Sequence, residues 1–156
     1  MSEPVPMVEE NKQYQRVGGW LAFFIFGLIV LLPIRTFIDL DQAFEQLGQT
    51  TTSDAVLAAG IFDIAVSVAI MCFGIYAGLR LLWLKPNAVR LAKRYLISLF
   101  LYTVLMTVLV ILVGIANPHS EIVSTGLLPQ LGGIIYAIFW YFYLEKSERV
   151  AGTYRA

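Results

Sequence analysis

Apolar residues in this chain fall into four long blocks, at about 17–38, 55–84, 95–116 and 126–144, separated by short polar connections. Each is long enough to cross the hydrocarbon core of a bilayer, which takes roughly 20 residues at about 1.5 Å rise per residue. A soluble core would scatter its apolar residues at amphipathic spacing instead. The pattern therefore predicts an all-α membrane protein, with four transmembrane helices in an antiparallel up-down-up-down bundle. A flexible tail is expected over 1–16, the transmembrane domain over 17–146 and a second tail over 147–156.

The second block organises the rest. It is interrupted by a single carboxylate, Asp63, and carries a stripe of small residues, Gly60, Ser67, Gly74 and Gly78. An acid in an apolar span costs about 2.5 to 3.5 kcal/mol at the helix centre on insertion scales, so it needs a partner or a task. Asp63, Ser67, Gly74 and Gly78 advance by four, seven and four, which keeps them on one helix face. That face directs Asp63 into the bundle, and Gly74 with Gly78 forms a G-x-x-x-G pair of the kind that lets helices approach closely.

The first block opens on Gly18, Gly19 and Trp20, an interfacial anchor by its indole, and closes on Pro33, Ile34 and Arg35. Pro33 should kink this helix or end its regular part. Arg35 can snorkel to water or reach an acid on the next helix. An ion pair between Arg35 and Asp63 is the sharpest structural hypothesis. The alternatives are hydroxyls such as Ser67 or Thr103 bonding Asp63, or a protonated Asp63. An acidic loop is expected over 39–54, with Asp41 to Leu47 able to form two helical turns stopped by Gly48 and Ser53 capping the next helix.

Charge sets the orientation. Of the 11 basic residues, all except Arg35 lie on one side of the predicted bundle, in the N-terminal segment, the 80–94 connection and the C-terminal run. By the positive-inside rule both termini face the cytoplasm. Composition agrees with the pattern, at 58% hydrophobic, 14% charged and a mean hydropathy of +0.73. A formal net charge of zero offers no general basic surface, so no nucleic-acid partner is expected.

Catalytic and metal chemistry find little material. One cysteine, Cys72, and one histidine, His119, are present in the chain. No serine-histidine-aspartate set, metal-ligand cluster or glycine-rich phosphate loop is recognisable, so neither cofactor nor catalytic residue is assigned. The aromatic run from Tyr136 to Tyr143 reads as an interfacial belt. Glu145 and Arg149 are spaced as an i, i+4 pair, and in the closing run Arg149 and Thr153 share a face that can dock under the bundle against the basic connection, or bind lipid phosphate or a cytoplasmic partner.

Gly18-Gly19-Trp20-Leu21, Pro33-Ile34-Arg35 and, above all, Trp140 followed by Ser147, Arg149, Val150, Thr153 and Tyr154 resemble the bacterial family called domain of unknown function 2569. Glu148 stands where that family more often has a lysine. The resemblance implies four membrane helices in a bacterial inner membrane and assigns no activity. The expectation is thus a non-enzymatic accessory or interaction subunit, with the lipid bilayer and either a homo-oligomer or a larger membrane complex as partners. The second expectation is a small oligomeric transporter or channel that uses Asp63 as a proton or cation site.

Overall fold

The computed structural model describes residues 19–49, 54–116 and 122–154, and every regular element in them is helical. In order these are α1 (Trp20–Phe26), a π-helical turn (Gly27–Leu31), α2 (Leu32–Gln49), α3 (Asp54–Leu82), α4 (Ala88–Ala116), α5 (Ile122–Lys146) and α6 (Glu148–Tyr154). The tail over 1–16, Ser53 and His119 lie outside the described residues, as does the side chain of Arg149. Among the described residues three stretches are long and apolar enough to cross a membrane: Trp20–Glu45, Gly60–Leu82 and Ala88–Leu112. With α5, another long helix of 25 residues, they make the body of the protein.

The first helix shows how sequence chemistry is accommodated locally. Gly19 precedes it with φ 62°, a left-handed backbone value that glycine adopts without a Cβ penalty. The chain is then helical from Trp20 to Gln49, with no sharp end at Pro33. A proline ring collides with the carbonyl four residues back, here that of Ile29, and the π turn widens the helix over the five residues that contain it. The expected kink is thereby taken up as a local bulge. The helix also runs through the expected 39–54 loop as far as Gln49, passing Gly48. Nothing between Pro33 and Gly48 breaks a helix, and an i, i+4 contact from Arg35 to Asp39 at 3.6 Å supports the continuation.

Packing is concentrated at one end of the bundle. Leu21, Phe24 and Leu28 from the first helix, Ala77 and Leu81 from α3, Ala92, Tyr95 and Leu96 from α4, and Trp140 and Leu144 from α5 form a single buried cluster. Antiparallel order brings these segments together, because the start of α1, the end of α3, the start of α4 and the end of α5 share a level. Trp140 is a core residue here and not part of a belt. Only 4% exposed, it stacks on Phe24 at 4.6 Å between ring centroids, with Phe139 and Tyr143 edge-on. Phe139, Phe142 and Trp20 remain exposed, as a belt requires.

The link between α3 and α4 is a tight helix-terminating motif. Lys85 N–H donates to the Arg80 carbonyl and Leu84 N–H to the Leu81 carbonyl, both at 3.1 Å. This six-to-one and five-to-two pattern is a Schellman motif, whose left-handed position is filled by Leu84 at φ 50° where glycine is the usual residue. Asn87, also left-handed at φ 64°, precedes α4 and accepts from Leu91 N–H at 3.0 Å through its carbonyl. Asparagine tolerates that conformation better than most residues. Pro86 therefore sits one place outside the capping residue, not in the first turn of α4.

Candidate functional site

Asp63 and its partners form the polar feature within the apolar spans. Asp63 lies half-buried on α3, and its Oδ1 accepts the Tyr102 hydroxyl of α4 at 2.7 Å. Tyr102 also shares a 2.9 Å hydrogen bond with Ser67, one turn beyond Asp63 on α3. One tyrosine thus joins two positions of the predicted polar face. A tyrosine carries an apolar ring with a polar tip that needs a partner when buried, and this makes it suited to bridge helices in lipid.

Arg35 does not reach Asp63. It is exposed and engages Asp39 of its own helix, so the expected ion pair is replaced by a hydroxyl bond. The physical reason is reach: an i, i+4 acid on the same helix meets Arg35 without crossing the bundle. Thr103 is not the hydroxyl partner either. Its Oγ1 donates back to its own helix, near the Leu99 and Phe100 carbonyls at 3.0 and 2.9 Å, and Thr107 does the same toward Thr103. The sequence reading missed Tyr102. Its signal was a phenol in a span with no charged side chain, where the hydroxyl must find an acceptor.

The small-residue stripe is used inside the chain. A Cβ on Gly74 would stand 2.5 Å from Leu32 Cδ2 and 3.0 Å from the Tyr95 ring, and one on Gly78 would stand 2.9 Å from Ile29 Cγ1 and 3.1 Å from Leu28 Cβ. The two glycines therefore seat the π turn and the start of α2 against α3, and admit Tyr95 from α4. Gly133 plays the same part between α5 and α4, where its Cβ would meet Thr103 Cγ2 at 2.7 Å. Gly60 is partly buried at the less packed end of α3.

The closing run Ser147 to Tyr154 is a docking device. Ser147 interrupts the helix, and its Oγ accepts from Val150 N–H at 3.4 Å, a weak cap at the start of α6. Val150 is 3% exposed and joins the main core cluster. Tyr154 donates its hydroxyl to the Leu81 carbonyl at 2.6 Å, a second donor beside Leu84 N–H at the end of α3. Partial burial pushes the Tyr154 phenol up to about 12. Glu145 pairs with Lys93 of α4. The run thus ties α3, α4 and α5 together at the packed end.

Arg80 crosses beneath the α3–α4 link, donating to the Pro86 carbonyl at 3.1 Å and resting its guanidinium 5.9 Å from the Tyr76 ring centroid. Two apolar grooves, of about 330 and 530 Å³, lie on α3 and α5, lined by residues such as Phe62 and Ile70 in one and Ile135 and Phe142 in the other. Neither contains Asp63. Among the described residues no three acids, histidines or cysteines converge into a metal-binding group.

The model of one family, described as a protein of unknown function (DUF2569), matches residues 14–155. That match spans the helices, the Asp63 site and the docking run alike. No curated protein and no solved structure matches the chain.

Proposed function

This chain belongs to the DUF2569 family, and on that premise we propose that it is a four-span protein of a bacterial inner membrane, with both termini cytoplasmic, acting as a non-enzymatic accessory or interaction subunit. The observation that carries this reading is the uneven packing of the bundle. In the most apolar stretch of α3 only 11% of residues are buried by the rest of the chain, although α3 lies between the first helix and α4. The half-buried Asp63 lies in that sparsely packed part. A carboxylate at such a depth is costly against lipid, and another protein helix laid over the α3 face would shield it.

A mild-detergent pull-down of the tagged protein from its native membrane, with mass and stoichiometry measured, tests this. The expected result is a larger membrane protein recovered in fixed ratio, with recovery reduced in Asp63→Asn. Recovery of the chain alone, as monomer or homo-oligomer, would sink the reading.

A second reading rests on the hydrogen-bonded chain from Ser67 through Tyr102 to Asp63. Such a chain supplies a carboxylate with an adjacent hydroxyl, the elements of a proton or cation site in a small oligomeric transporter or channel. Purified protein in vesicles should then carry a proton or cation flux that Asp63→Asn abolishes. A flux equal in wild type and Asp63→Asn would remove Asp63 from that role.

A further inference from the structure

The π turn leaves backbone acceptors that its own helix cannot satisfy. Leu32 N–H, which would bond the Leu28 carbonyl in an α-helix, is committed to the Gly27 carbonyl. The next residue is Pro33, which has no N–H to offer. The Leu28 carbonyl therefore has neither an i+4 nor an i+5 donor, and the Ile29 carbonyl lacks its i+4 donor. Leu28 is fully buried, so bulk water does not satisfy the freed carbonyl.

Tyr95 presents the complementary defect on the facing helix. Its side chain is 0% exposed, and its hydroxyl has no hydrogen-bond partner in the protein. The Tyr95 ring lies against Gly74, one turn along α3 from Gly78, which the Leu28 and Ile29 side chains touch. Tyr136 from α5 brings a second hydroxyl to the same region, 3.7 Å from the Cβ position of Gly27. An unpaired donor on α4 and the freed acceptors of the first helix thus belong to residues that pack on the same short stretch of α3, at Gly74 and Gly78. Burying either set alone would cost on the scale of a lost hydrogen bond.

We propose that a water molecule is bound inside the bundle at the π turn, accepting from the Tyr95 hydroxyl and donating to the Leu28 carbonyl, with the Tyr136 hydroxyl as a further partner. Proline in membrane helices is tolerated where neighbouring helices, π turns and ordered waters satisfy the freed backbone groups. A water with two or three polar partners has the number that buried waters commonly show. The site ties the first helix to α4 and α5 without a direct side-chain bond.

The full chain in lipid vesicles, labelled with ¹³C-tyrosine, tests this by water-edited solid-state NMR together with thermal unfolding. Magnetisation from water should reach the Tyr95 ring at short mixing times, and Tyr95→Phe should lower the melting temperature by about 2–4 °C, the shift expected for one net hydrogen bond in a chain of this size. In a Pro33→Ala background, where residue 33 regains an N–H for the same carbonyls, the Tyr95→Phe shift should shrink. The proposal is overturned if no transfer reaches Tyr95, as a direct hydroxyl–carbonyl bond would give. It is equally overturned if Tyr95→Phe melts at or above the wild type, the result of deleting an unsatisfied hydroxyl.

Discussion

The two ends of the bundle are built differently. At the end holding the α3–α4 link and α6, aromatic and aliphatic side chains make one closed core, with Trp140 stacked on Phe24 and α2 contributing only the partly buried Leu32 at its edge. Toward the other end the same helices bury few residues, and their shared feature is the polar bridge of Ser67, Tyr102 and Asp63. Leu101, Leu105 and Leu109 of α4 stay exposed there, with Ile135 of α5. One end carries the stability of the isolated chain, and the other presents polar and apolar groups to lipid or to a partner. The contrast shows that high hydropathy alone does not make a core; close approach at glycines and interlocking rings does.

Truncating the centre of the packed end should have the largest effect. Trp140→Ala removes the ring stacked on Phe24 and should destabilise the protein by about 3–5 kcal/mol, read from equilibrium unfolding in mild detergent. A loss below about 1 kcal/mol would mean that the core is not centred there. Next, Gly74→Ala places a methyl group against Leu32 and the Tyr95 ring and should cost about 1–3 kcal/mol by overpacking. Were Gly74→Ala neutral, the close approach of the first helix and α4 to α3 would be in error.

Tyr154→Phe should cost about 0.5–1.5 kcal/mol, the net worth of its bond to the Leu81 carbonyl, reduced by its partial exposure. Its pH dependence follows from a folded value of about 12 against an ordinary 10. A raised phenol contributes stability that is complete below pH about 10 and is lost as pH rises toward 12, since the ionised oxygen can no longer donate. The gap between wild type and Tyr154→Phe should therefore close over that window; a constant gap would mean the hydroxyl is not what docks α6. The smallest effect belongs to the open end. Leu105→Ala should change the stability of the isolated chain by less than about 0.5 kcal/mol. A loss comparable to that of Trp140→Ala would erase the distinction between the two ends.

Much of this was legible before any tertiary contact was known. Continuous apolar blocks of about 20 residues, without the alternation of a barrel strand, span lipid as helices, in which each amide is satisfied within its own segment. The spacing of Asp63, Ser67, Gly74 and Gly78 marked the face of α3 that meets its neighbours, because helical periodicity is a local property. The sequence pointed to docking of the closing run, but it did not single out Val150 and Tyr154 or specify the Leu81 carbonyl as the place.

Partner choice was not legible, because it depends on distance across the bundle. Arg35 and Asp63 are complementary in charge, yet a same-helix acid captured Arg35 and a phenol from α4 captured Asp63. Likewise Pro33 announced a disturbed helix, but not that the disturbance would be a π turn packed against Gly74 and Gly78 of α3. Sequence by itself determined the long apolar helices and which faces are small or polar, through hydropathy and local period, but not that the first helix continues to Gln49. Tertiary structure decided which groups meet, because contacts between helices are selected by packing geometry and by the cost of leaving a buried polar atom unpaired.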